Sequence, residues 1–138
     1  MSASEQKYTY NASLVRVVDG DTVVLDLKMD YLLEADFGFY IKDKIVFSKT
    51  SVQTFRLFGV DTPEVVGAEK NLGLLAKQAL QEMLEKASSI KVVSHGKDKY
   101  GRWLGTLLIE SKNESGEVIT VNVNEWLVAG GFAQPYMG

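Results

Sequence analysis

The sequence predicts an α+β domain, mainly β: a five-stranded barrel of the OB-fold type. A long helix is expected between strands 3 and 4, and a short helix near the C-terminus. Three observations carry this. Short runs rich in β-branched residues recur, each stopped by Gly, Pro or Asp. Only one long segment shows a sustained helical period. The element order, three strands, a helix and two more strands, is that of an OB barrel.

Taken in order, Ala12 to Val18 reads as the first strand. Asp19-Gly20 is a two-residue hairpin signal, with positive φ expected at both positions of a type I′ turn. Asp21 to Leu27 alternates and forms the return strand. From Lys28 to Ser51 the period blurs. Phe37-Gly38-Phe39-Tyr40 is aromatic and Lys42-Asp43-Lys44 reads as an exposed turn, so residues 28–51 are expected to form an elaborated connection with some strand character. Val52 to Val60 is the third strand, ended by Asp61-Thr62-Pro63, because proline has no N–H for a ladder.

The long helix is expected at about Ala68 to Lys86. Leu72, Leu75, Ala76, Ala79, Leu80, Met83 and Ala87 make one apolar stripe, read as core. Ile90 to His95 is the fourth strand, Gly96 to Gly101 a polar loop, and Arg102 to about Glu110 the fifth strand. After a turn at Lys112 to Glu117, Val118 to Val121 extends the ladder. Asn122 with Glu125 matches a helix N-terminus, and Gly130-Gly131 a helix stop.

The bulk properties bound what this fold can do. A length of 138 residues fits a single domain, 1–138, and 46% hydrophobic with 24% charged residues is the mix of an ordinary globular chain. No run of eighteen apolar residues offers a membrane span, so no membrane partner is expected. Met1 to Lys7 is polar and lacks the apolar stretch of a signal peptide, which is expected of a cytoplasmic chain, or of a secreted one whose leader has been removed. Without cysteine there are no thiolate sites or disulfides. His95 is the only histidine, read as a polar residue at a strand end, so carboxylates and arginines must carry any catalysis. A net charge of −3 argues against tight coating of nucleic acid but permits an encounter at a local cationic site.

Three polar clusters stand at strand ends: Asp19-Gly20-Asp21-Thr22, Arg56 followed by Asp61-Thr62-Pro63-Glu64, and Asp98-Lys99-Tyr100-Gly101-Arg102. Each alone has a plain reading, as a hairpin turn, a strand stop and a solvated loop. Together, in this order and on this strand pattern, with Val123-Asn124-Glu125 and Gly131 behind them, they resemble the motifs of the staphylococcal nuclease family from about Ala12 to Ala133.

The resemblance implies a calcium-dependent nuclease that hydrolyses phosphodiester bonds of DNA and RNA by attack of water, leaving 5′-hydroxyl and 3′-phosphate ends. Asp21, Asp61 and the backbone carbonyl of Thr62 match the ligands of one Ca2+ ion. Glu64 matches the residue proposed as general base or water-positioning group, and Arg56 and Arg102 match the arginines that hold the scissile phosphate. Lys99 and Tyr100 match residues beside the nucleotide pocket, and Tyr136 falls near the pocket tyrosines of the type enzyme. Single-stranded or locally open nucleic acid is the expected partner, with a monomer as the default state. The chain departs from the type enzyme in its acidic balance and in the long 28–51 segment. The aromatics of that segment could pack on the barrel, shape a nucleic-acid groove or contact another subunit, packing being the default.

Two other readings compete with the enzyme. One is a non-catalytic OB-fold module that binds nucleic acid; the other is a calcium-stabilised interaction domain. Neither needs the acid pair, Glu64 and both arginines together.

Overall fold

A computed structural model describes residues 8–63 and 70–136, without the side chains of residues 31–34 and 46. Strands β1 (Thr9–Asp19), β2 (Thr22–Asp36) and β3 (Lys42–Leu57) form an antiparallel meander. After the two-residue β4 (Val60–Asp61) comes helix α1 (Lys70–Lys86), then β5 (Ser89–Lys97), β6 (Trp103–Lys112), β7 (Val118–Asn122), helix α2 (Val123–Ala129) and β8 (Gln134–Pro135). β1 pairs with β5, β5 with β6, and a short parallel pairing of Phe55–Leu57 with Trp103–Gly105 brings β6 back to β3. That pairing closes β1, β2, β3, β5 and β6 into a five-stranded, OB-type barrel.

Alternation explains the core. Val23, Leu25 and Leu27 of β2 and Phe55 and Leu57 of β3 point inward, and each is at most 4% exposed. Val92, Leu107 and Ile109 fill the opposite wall, while Leu80 of α1 and Val123 and Leu127 of α2 plug the ends. Full burial of each such side chain stabilises by about 1.5–3 kcal/mol.

The structure moves several expected boundaries. At the first hairpin, Asp19 pairs with Thr22, so the turn residues are Gly20 and Asp21, and neither has positive φ. Glycine is needed there for closeness instead: a Cβ on Gly20 would lie 2.8 Å from the Ala76 Cβ and 3.0 Å from the Thr62 side chain. The third strand starts at Lys42 and breaks at Gly59, whose φ of 78° turns the chain into β4. Residues 28–51 are no irregular connection. β2 and β3 stay paired from Thr22↔Arg56 out to Asp36↔Lys42, so the segment is a continuous ribbon. Lys42 to Lys44 lie in its strand, and the turn is Phe37 to Ile41. The aromatics of that turn do not pack on the barrel, since Phe39 and Tyr40 are 96% and 101% exposed.

The apolar stripe of α1 is also rotated. Gly73, Ala76, Leu80 and Leu84 are buried, whereas Leu72 and Leu75 lie more than half exposed beside Asp61 and Phe132. Gly73 lines the buried face, a position that a hydrophobicity count passes over. No described helix is long and apolar enough to cross a membrane.

Candidate active site

The three polar clusters converge at one end of β2 and β3. Register does this: Thr22 pairs with Arg56, and the Leu57 N–H donates to the Asp21 carbonyl at 2.7 Å. Asp21 thus stands beside Arg56 although 35 positions separate them in sequence. Past the Gly59 turn, β4 carries Asp61 back alongside, held by its pairing with Gln134 of β8.

Asp21 is 9% exposed and tightly held. Its Oδ1 accepts from the Thr22 hydroxyl at 3.0 Å and its Oδ2 from the Thr62 N–H at 3.2 Å. An Arg56 terminal nitrogen lies 3.7 Å from Asp21 Oδ2 and 3.4 Å from Asp61 Oδ1, so one guanidinium bridges both acids. The Arg56 side chain is only 12% exposed, and its guanidinium carbon sits 4.8 Å from the centre of the Tyr136 ring. Thus Arg56 does not point freely into solvent; it is wedged between carboxylates and an aromatic face. Asp61 is the open acid, with its side chain 58% exposed.

Arg102 reaches the same cleft from the loop before β6, and Asp98 shapes that loop. Asp98 Oδ1 accepts from the N–H groups of Tyr100 and Arg102 at 2.8 and 2.9 Å, and Oδ2 accepts from Arg102 Nε at 2.9 Å. Gly101 completes the turn at φ 80°. Partial burial opposes ionisation of Asp98. The Arg102 and Tyr100 backbone donors, the Arg102 side chain and its charge outweigh it and hold the carboxyl below its usual range. With Nε taken by Asp98, the outer edge of the Arg102 guanidinium is left for an incoming anion.

Two adjoining clefts result. The first, about 290 Å³, is almost wholly polar and is walled by Asp19, Asp21 and Thr22 with Arg56, Asp61, Thr62, Pro63 and Arg102. The second, about 450 Å³, shares Arg56 and Arg102 with it and adds the Asp98–Tyr100 loop and an apolar wall of Phe58, Leu104 and Tyr136. Both arginines therefore stand on the border between a polar and an aromatic chamber. Lys99 Nζ lies 5.3 Å from the Tyr100 ring centre, and both line the aromatic side. Lys97 Nζ lies over the Trp103 ring at 4.6 Å, at the end of β5 just before the loop.

Of the residues expected from the sequence, Asp21, Arg56, Asp61, Thr62 and Arg102 meet in the polar cleft, and Lys99 and Tyr100 stand in the aromatic one. Glu64 lies outside the described residues. The sequence reading missed Phe58 and Leu104. Alternation held the signal for Phe58, since buried Leu57 sends its neighbour outward. His95 stacks on the Phe58 ring at 4.3 Å and meets the Thr106 hydroxyl at 2.8 Å; its imidazole thus backs the aromatic wall. Partial burial lowers its pKa.

The donor set fits a hard cation. It offers only oxygen ligands, and the Thr62 hydroxyl is buried without a hydrogen-bond partner among the described residues. No group of three or more acids or histidines gathers among the described residues, so the chain itself would supply few ligands and leave positions for water and phosphate oxygens.

The frame behind the site is knitted by Asn124, at 5% exposure. Its Nδ2 donates to the carbonyls of Phe58 and Gly105 at 2.9 and 3.1 Å, while its Oδ1 accepts from the Leu107 N–H at 3.1 Å. Asn122 caps the same helix by accepting from the Glu125 N–H.

The uncharacterized protein MJ1439 of Methanocaldococcus jannaschii is 27% identical over 150 aligned positions, which cover 93% of this chain and 60% of that protein. The chain thus spans about three fifths of the length of this curated relative. The staphylococcal nuclease homologue model matches residues 54–137, a stretch that includes Arg56, Asp61 and Arg102. That match takes in well over half of the 138 residues, and the chain belongs to the staphylococcal nuclease homologue family.

Proposed function

We propose that this chain is a calcium-dependent nuclease that hydrolyses phosphodiester bonds of DNA and RNA. One observation carries the reading: two arginines and three carboxylates, drawn from three distant clusters, share a polar cleft that opens onto an aromatic chamber. A nucleotide has the same division, an anionic phosphate beside a flat apolar base.

In this reading Arg56 and Arg102 bind the scissile phosphate through their terminal nitrogens and stabilise the charge that grows in the five-coordinate transition state. Asp98 holds Arg102 in place. Tyr136 and Tyr100 offer ring faces to the neighbouring base, and Lys99 a charge to the strand. Open, single-stranded nucleic acid suits this best, since a paired base cannot enter the aromatic chamber without leaving its stack. Asp21, Asp61 and the Thr62 carbonyl would hold one calcium ion, which when bound supplies Lewis-acid polarisation and orientation of the phosphate. Glu64 is assigned to orient the attacking water and take its proton. The water oxygen bonds to phosphorus, the bond to the 5′ oxygen breaks, and that oxygen takes a proton from solvent water and leaves as a 5′-hydroxyl beside a 3′-phosphate.

The test is cleavage of denatured DNA and of RNA with calcium or with a chelator, run beside Arg102→Ala. Calcium-dependent cutting that vanishes in the variant supports the assignment. A folded wild type that cuts neither polymer at any calcium level would transfer the site to a module that only binds nucleic acid.

A further inference from the structure

Beyond Lys28, β2 leaves β1 behind, and β2 and β3 continue as a two-stranded ribbon from Met29↔Lys49 to Asp36↔Lys42. Such a ribbon is marginal alone in water. Its two faces differ in sequence. Odd positions continue the core-facing side of the barrel strands; among the described side chains they carry Met29 and Ala35 in β2 and Lys49, Phe47, Ile45 and Asp43 in β3. The described even positions carry Asp30, Asp36, Lys42 and Lys44, the charged side. Met29, at the barrel end of that side, packs against the core, whereas toward the tip the side is open: Phe47 is 50% exposed, and Phe37 and Ile41, just past the strand ends, are about 60% exposed.

The apolar side carries only two charged residues, and their placement identifies the cover. The ribbon's midpoint is the pair Leu32↔Val46. Lys49 lies three positions from it toward the barrel, and Asp43 three positions toward the tip. Neither has an ion-pair partner among the described residues. A two-fold axis crossing the ribbon at that midpoint exchanges the two positions. We propose that this face is the interface of a homodimer, in which two ribbons stack antiparallel and face to face. Lys49 of each copy then meets Asp43 of the other, and Ile45 meets Phe47.

An isologous contact requires this self-complementarity, in which residue i meets j and j meets i. Parallel stacking would put Lys49 over the small Met29 side of the second copy and leave all four charges unpaired. The scale is that of a weak dimer. Eight pairs span roughly 25 Å, and a ribbon about 10 Å wide covers a footprint of roughly 250 Å² on each copy, or about 500 Å² between two, below the standard size of specific interfaces. The cleft stays open, because Thr22↔Arg56 and Asp36↔Lys42 are opposite ends of the same two strands.

The experiment is sedimentation equilibrium of the full chain across a concentration series, with Lys49→Asp, Asp43→Lys and the double exchange. Dimers are expected for the wild type. Each single reversal should weaken them about tenfold or more, and the double exchange should restore them. A 1:1 mixture of the two single variants should pair about as tightly as wild type, since one copy is then negative and the other positive at both positions and both contacts are attractive. A wild type that stays monomeric throughout would overturn the dimer, and if that monomer sedimented with anionic phospholipid vesicles the face would belong to a membrane surface. Dimers indifferent to both reversals, or not restored by the exchange, would overturn the proposed register.

Discussion

Replacing Asn124 by leucine should be among the most destabilising single changes in this protein, although the side chain keeps its branching and its number of heavy atoms. The amide makes three hydrogen bonds at 5% exposure, to Phe58, Gly105 and Leu107. The loss is unequal among them. The Gly105 carbonyl keeps a second donor, the Phe58 N–H at 2.8 Å. The Leu107 N–H and the Phe58 carbonyl lose the partner that Asn124 gave them. Three bonds at about 1 kcal/mol each, with added penalty for groups left unpaired, give roughly 3–4 kcal/mol. Against a domain stability of roughly 5–15 kcal/mol, that is a large share. Urea unfolding should show it as a midpoint lowered by about 1.5–2 M, for an m-value near 2 kcal/mol/M. Asn122→Ala is the control, because it removes one exposed cap bond from the same helix, a loss of about 1 kcal/mol. The amide exchange of Leu107 should also quicken in Asn124→Leu before global unfolding sets in. A cost under 1 kcal/mol, or one equal to that of Asn122→Ala, would show that Asn124 does not tie α2 to β3 and β6.

Three further outcomes follow from the site. Gly20→Ala puts a methyl 2.8 Å from the fully buried Ala76 and 3.0 Å from Thr62, so it should cost about 1–3 kcal/mol and weaken calcium binding in titration calorimetry; unchanged stability and affinity would refute the close packing. Asp98→Asn keeps an acceptor for the loop N–H groups but removes the anion on Arg102 Nε. It should lower kcat/KM about tenfold, well short of the loss in Arg102→Ala; an equal loss would make Asp98 more than a positioning residue. The pKa of His95 is lowered by burial, so the unfolded chain binds the proton first as pH falls. Its contribution to stability is full above about pH 6.5 and is lost as pH drops through the depressed value; His95→Gln should flatten that part of the pH–stability curve, and an identical curve would deny the coupling.

The parts legible in the sequence are those where local chemistry and global fold agree. Asn122, Glu125 and Gly131 mark the ends of α2, because a cap, a first-turn acid and a left-handed glycine act within a few residues. The clusters around Asp21, Arg56 and Arg102 were legible because polar residues at strand ends are dispensable to a core. The ribbon was not. Strand periodicity shows only where one face is buried and the other solvated, and Lys49 and Asp43 interrupt the apolar series of residues 28–51. The α1 face misled for a related reason. Leu72 and Leu75 follow the helical period as well as Leu80 does, but the buried face runs through Gly73 and Ala76, and Ala76 lies so close to Gly20 that small size rather than hydrophobicity selects the residue. Asp19-Gly20 was read for φ, yet glycine is required there by what lies opposite it.

The family match begins at residue 54, so the Asp21 acid lies outside it, and only the fold connects the two. That connection is a matter of register. With Thr22 opposite Arg56 and the Asp21 carbonyl bonded to Leu57, the inward side chains are Val23, Leu25, Phe55 and Leu57. A slip of one residue along β2 would turn Val23, Leu25 and Leu27 out to solvent and bring Thr22, Val24 and Asp26 inward. It would also move the Asp21 carboxylate away from Arg56 and Thr62. The hydrophobic pattern that holds β2 in place is therefore the same constraint that delivers the carboxylate to the cleft. A polar residue at Val23 or Leu25 would threaten the site as well as the core, even though neither side chain touches it.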